Sequence, residues 1–104
     1  MTLEVTSIRP QGNYWKAWAQ WSSPKDETST GYPLFTWRSY KELSYYDCKH
    51  GSVATKQLVY YDGENGAGNA VRTLSTPEGN LRFDDPIPGT LGDTLHRYVC
   101  RNRK

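Results

Sequence analysis

No run of about eighteen apolar residues occurs in the 104-residue chain, which excludes a membrane-spanning helix. Aliphatic side chains are scarce: Leu, Ile, Val and Phe together number 17. A share that low accompanies disorder when net charge is high, but the formal net charge here is only +2. Four Trp and eight Tyr supply the missing bulk, and each can bury roughly 150–250 Å². The composition therefore predicts one folded domain spanning residues 1–104, with a shallow aromatic core.

The patterns of catalysis are missing too. There is no G-x-S-x-G elbow, and Gly63, Gly66 and Gly68 lie in a hairpin segment rather than between a strand and a helix, so no phosphate loop is read. Glu42, Asp47, Asp62 and Asp84 have no spacing that predicts an acid–base pair. His50 sits in a turn beside Cys48, and His96 is read on the polar side of a helix. Neither has a metal-ligand partner at close spacing, and Asp84-Asp85 before Pro86 reads as a solvated turn. These absences predict no enzyme, no cofactor and no metal. Nucleic acid is not expected either: a net charge of +2 is a weak field, and acidic residues fall within the Leu3–Ile8 and Leu34–Asp47 strands. The basic tail Arg97, Arg101, Arg103 and Lys104 reads as a solvated terminus.

Only two cysteines are present, Cys48 and Cys100, and they lack the close pairing of a zinc ribbon or redox motif. Both fall at predicted element ends in a small-cored chain rich in polar turns, the setting of an exported disulfide. A Cys48–Cys100 bridge is predicted. Closing a loop of that size stabilises by about 4 kcal/mol in the chain-entropy account. No signal-peptide pattern occurs, so the expectation is that Met1 replaces a removed export signal.

The elements follow from hydrophobic period. Leu3 to Ile8 is a short strand and Arg9 to Asn13 a turn. Tyr14 to Trp21 alternates Trp15, Ala17, Ala19 and Trp21 against Tyr14, Lys16, Trp18 and Gln20. Ser22 to Pro33 reads as a loop. Leu34 to Asp47 and Ser52 to Tyr61 are strands, and Asn65-Gly66 marks a hairpin loop returning as Ala70 to Leu74. Residues 75–89 form a proline-broken loop. Thr90 then caps a helix, with Asp93 three residues on and an apolar stripe of Leu91, Leu95 and Val99 flanked by Tyr98. A ten-residue helix is marginal alone, so it must dock.

Several short motifs resemble the surface-adhesin protein E family of small exported proteins from Gram-negative bacteria. Thr6-Ser7-Ile8-Arg9, Gly12 and Trp18 resemble its opening strand, turn and aromatic strand. Tyr45-Tyr46-Asp47-Cys48 resembles its first cysteine motif, and Val59-Tyr60-Tyr61-Asp62-Gly63 its next strand and turn. Pro88-Gly89-Thr90, Leu95 and Val99-Cys100 are similar to its closing helix, although the Trp often found before that step is missing and Phe83 is the nearest aromatic. The resemblance implies an antiparallel sheet bridged to a C-terminal helix, a cell-envelope location and a tendency to dimerise.

The reading is thus α+β: a meandering antiparallel sheet with one short C-terminal helix held to it by the disulfide. The aromatics exceed what a thin core can hold, and the strand faces bearing Tyr14 and Trp18, or Tyr40 and Glu42, read as exposed. Interfaces favour exposed Trp and Tyr, which makes Trp18, Trp37, Tyr40 and Tyr45 the candidate binding residues. An exported, adhesin-like protein-binding module is expected. Alternatives are a structural or inhibitory envelope protein whose aromatics serve a homodimer, and a module that stacks Trp on glycans.

Overall fold

The computed structural model describes residues 2–103. Five strands run β1 (Thr2–Gln11), β2 (Tyr14–Thr28), β3 (Thr36–Asp47), β4 (Ser52–Tyr61) and β5 (Ala70–Ser75), with short 3-10 turns at Glu64–Gly66 and Glu78–Asn80 and an α-helix, α1 (Leu91–Arg101), at the C-terminal end. The sheet order is β1-β2-β3-β4-β5 with every pair antiparallel. The predicted meander with a C-terminal helix is what forms.

Turn chemistry sets the registers. Gly12, at φ +60°, takes the first central place of a two-residue hairpin, so Gln11 faces Tyr14. Asp47 organises the β3–β4 turn: its carboxylate accepts from the Lys49 and His50 amides at 3.1 and 3.0 Å and pairs with His50 Nδ1 at 2.9 Å. Those contacts hold its carboxyl below the usual carboxylate range, chiefly through the His50 hydrogen bond. The same turn positions Cys48.

Strand β2 runs on through Thr28, across much of the segment read as a loop. Four of its residues, Ser23 to Asp26, sit opposite Arg38 alone. This wide bulge tolerates Pro24, which has no N–H to give. Arg38 makes up the missing donors: Nε reaches the Ser23 carbonyl at 2.9 Å and Nη2 the Pro24 carbonyl at 2.8 Å. A local reading of Ser-Pro-Lys-Asp has no access to a guanidinium from the next strand. A smaller bulge in β1 sets Ser7, at φ +56°, and Ile8 opposite Ala17, and Ile8 joins the core.

The core lies between α1 and one end of one sheet face. Ala17, Ala19, Tyr46, Leu95 and Val99 are its buried members, with Trp15, Val53 and both cysteines packed around them. The two alanines, cross-strand from Ser44 and Glu42, keep the sheet low enough for the helix to come close. Val99 is fully buried, and burying a side chain of that kind contributes about 1.5–3 kcal/mol.

Thr90 caps α1 as predicted, its Oγ1 accepting from the Asp93 amide at 3.3 Å. Asp93 in turn accepts from the Gly89 amide at 3.1 Å and from Arg97 at 2.6 Å. The buried stripe is rotated from the predicted one. Leu91 and Tyr98 are exposed, whereas Leu95, His96 and Val99 are buried. The disulfide explains the turn: Cys48 and Cys100 are bonded at 2.04 Å with Cα atoms 5.6 Å apart. Cys100 lies one turn beyond His96, so drawing Cys100 to the sheet draws His96 inward as well. His96 packs on Tyr46 at 5.8 Å and meets the Ser52 carbonyl at 3.2 Å, correcting its assignment to the polar side.

Candidate binding surfaces

Cross-strand pairs define two faces. The helix side carries Trp15, Ala17, Ala19 and Trp21 from β2, with Tyr46, Ser44, Glu42 and Tyr40 opposite them on β3. The helix covers only the Trp15–Tyr46 end. Beyond it, Trp21, Tyr40 and Tyr60 stand in register across three strands. Their rings form a continuous strip: Trp21 stacks on Tyr40 at 6.2 Å, and Tyr40 meets Tyr60 at 5.3 Å. Trp37 lies 5.4 Å from Tyr40 and 5.5 Å from Tyr60, and Phe35 adds an edge contact to Tyr60 at 5.0 Å.

Glu42 sits within this apolar face, one cross-strand row along from Tyr40. Burial raises its carboxyl pKa. The Trp21 indole N–H pulls in the other direction, though loosely, since it is buried without a hydrogen bond of full geometry. The neighbours respond. Burial, then the charges of Glu42 and Tyr60, push the Tyr40 hydroxyl up to about 12. Tyr60 and Tyr46 are raised by burial and then by Glu42. The face reads as apolar surface with one poorly solvated carboxylate and half-buried Tyr40 beside it, so it is less open than the sequence suggested.

The opposite face carries Trp18, placed between Thr6 of β1 and Leu43 of β3. Trp18, Val59 and Tyr61 line a groove of about 450 Å³, with Glu4, Thr6, Gln20 and Lys41 as its polar members. Lys41 Nζ stands 5.5 Å over the Tyr61 ring, within cation–π range. One end of the groove is closed by the β4–β5 loop. That loop docks on two buried serines: Ser39 donates to the Gly63 carbonyl at 2.6 Å, and the Gly66 and Asn65 amides donate to Ser39 and Ser22 at 2.9 and 3.2 Å. Gly66 sits at φ +75° in this loop, a conformation that favours glycine.

Residues 76–85 cover the other end. Tyr45 is buried beneath them and donates to Glu78 at 2.6 Å. That hydrogen bond, with burial behind it, raises the Tyr45 hydroxyl pKa. Tyr14 packs on Phe83 at 4.6 Å.

The four candidate binding residues thus separate. Trp37 and Tyr40 touch each other on the helix side; Trp18 and Tyr45 belong to the opposite face, Trp18 in an open groove and Tyr45 beneath a loop. Sequence reasoning passed over Trp21, Tyr60 and Tyr61, whose partnerships depend on strand register. Period-two alternation was the available signal, and it separates faces without saying which strands are neighbours. Among the described residues no three His, Cys, Asp or Glu side chains gather as metal ligands, and no helix is long and apolar enough to cross a membrane.

The sequence pattern of the family described as Surface-adhesin protein E matches residues 1–101. No curated protein matches the chain.

Proposed function

The chain belongs to the surface-adhesin protein E family, and from that premise we propose that it is an exported cell-envelope protein that binds a protein partner outside the cell. The family points to a surface protein that adheres rather than catalyses. The observation that carries the binding reading is the Trp18 groove. A large ring lies on an outward sheet face that α1 does not cover, between a carboxylate at Glu4 and an ammonium at Lys41. An aromatic anchor with a polar rim of both signs is how protein interfaces are built. β1, the edge strand beside it, offers one side of its backbone for pairing.

Binding of the intact protein and of Trp18→Ala to a panel of extracellular-matrix proteins tests this. The parent should capture at least one of them, and the variant should lose most of that affinity, since hot-spot tryptophans account for about 2 kcal/mol or more. Equal binding by the two would remove the groove from consideration.

The helix-side face favours a second copy of the same chain. Leu3 and Leu74 are exposed there at opposite edges of the sheet, cross-strand from Trp21 and Leu58 respectively. We propose a homodimer formed through this face.

A further inference from the structure

We propose that the cleft between the Ser29–Phe35 loop and the rings of Trp37 and Tyr60 is a binding site for a carboxylate-bearing sugar residue. The cleft measures about 290 Å³, at the lower limit of small-molecule sites, ~300–1,000 Å³. That volume suits one sugar ring rather than an extended chain.

Its floor is aromatic. Trp37 and Tyr60 lie 5.5 Å apart with their planes 59° from parallel, and Phe35 abuts Tyr60. Ring faces carry the negative side of the aromatic quadrupole, which attracts the weakly positive C–H groups on the apolar side of a sugar. Tyr32, 92% exposed on the loop, stands at the mouth as a further ring.

Its charge is of one sign. Arg72 is the single charged residue in the lining, and no acidic side chain is present there. Arg72 stands opposite Tyr60 in the β4–β5 register, on the same face as that ring. Among the described residues it makes no ion pair, unlike Arg38 and Arg97. A free guanidinium fork beside an aromatic floor matches a carboxylate in two-point geometry. Thr28 and Thr30 place hydroxyls at the rim to meet sugar hydroxyls.

The rim is already built. The Ser29 amide donates to the Phe35 carbonyl at 2.9 Å, and the Phe35 amide returns to Ser29 Oγ at 3.0 Å. The loop is therefore closed on itself before any ligand arrives, which lowers the ordering cost of binding. A neutral sugar would leave Arg72 unused, and a proline-rich peptide would use the rings but overrun the cleft. The acidic sugar uses both features.

This inference goes beyond the protein-partner reading and can fail separately from it. The test is NMR titration of the ¹⁵N-labelled protein, following the Trp37 indole and the Arg72 and Tyr60 amides. Probes are sialyllactose, an unsulfated hyaluronan tetrasaccharide, lactose and a decaproline peptide. Saturable shifts at those three signals with sialyllactose or the hyaluronan fragment, and none with lactose, are expected. Whichever acidic probe binds tells sialic from uronic acid. Arg72→Gln should weaken binding roughly tenfold or more, as loss of a charged hydrogen-bond partner implies, with an unchanged melting temperature because the residue lies on an edge strand. Trp18→Ala should bind as the parent does. Equal response to lactose, a preference for decaproline, no shift with either acidic probe at millimolar concentration, or parent-like binding by Arg72→Gln would each overturn the proposal.

Discussion

Arg38 Nε donates to the carbonyl of Ser23 over 2.9 Å, and this contact keeps β2 a strand beyond its bulge. Arg38→Met retains the apolar stem but removes the donors to Ser23 and Pro24 and the ion pair with Glu64. The part-buried Ser23 carbonyl would lose its side-chain donor, while the exposed Pro24 carbonyl can turn to water. A carbonyl left unpaired costs about 1–3 kcal/mol at full burial, so a destabilisation of about 1 kcal/mol is expected. Urea denaturation of the parent and variant measures it, and a change within error would show that water serves those carbonyls as well.

The same residue marks where the sequence stopped being legible. Elements whose determinants are local were readable: the alternation of Tyr14 to Trp21, the Thr90 cap, and the turn at Asp47. Elements held by distant partners were not. β2 beyond Trp21 depends on Arg38, and the inward turn of His96 depends on a disulfide formed 52 residues along the chain. Trp37 and Tyr40 were both picked out, but three positions apart in a regular strand they would point to opposite sides. Their contact arises where the β2 bulge faces Arg38 and local alternation breaks, which no periodicity reveals. The cleft at Arg72 required the β4–β5 register.

Replacing both cysteines by serine should lower stability by up to about 4 kcal/mol on the chain-entropy account, a large fraction of what a domain of this size possesses. The helix should respond most, because few other contacts fix it. Far-UV circular dichroism during urea denataturation, with intact protein and the double variant side by side, gives the difference. An unchanged midpoint would mean that Leu95 and Val99 hold the helix without the bridge.

Glu42 gives a pH dependence whose sign is fixed. Its folded-state pKa is raised above the ordinary 4.5, mainly by burial. Between those two values the folded protein retains a proton that the unfolded chain has released. Stability therefore falls as pH rises through that window. Asp47 acts in the opposite sense: its lowered pKa gives a contribution that is present above the ordinary value and lost as pH falls through the folded one. Glu42→Gln should remove the first effect and leave the second, so the variant should gain stability relative to the parent as pH rises above 4.5. Melting temperatures across the acidic range decide it. Parallel curves for parent and variant would show that the carboxylate is better solvated than its surroundings imply.

Association should carry the same signature. Leu58 faces Glu42 across the strands and Tyr40 lies next along its own, and at the edges of the same face Leu3 and Leu74 are 38% and 41% exposed. Covering such a face with a second copy removes apolar area from water at roughly 25 cal/mol per Å², and a standard interface buries about 1,600 Å² in total. A two-fold contact of this kind is self-complementary and brings each copy's Glu42 under protein. A carboxylate already short of solvent then becomes costlier to keep charged, so its protonation favours the pair. Sedimentation equilibrium should show a dimer that tightens as pH falls through the Glu42 transition. Glu42→Gln should hold the dimer at neutral pH, and Leu74→Lys, on an edge strand where folding tolerates it, should leave monomers throughout. A dimer that ignores both substitutions would lie on another surface, and a protein that stays monomeric at every pH would leave this face for a different partner.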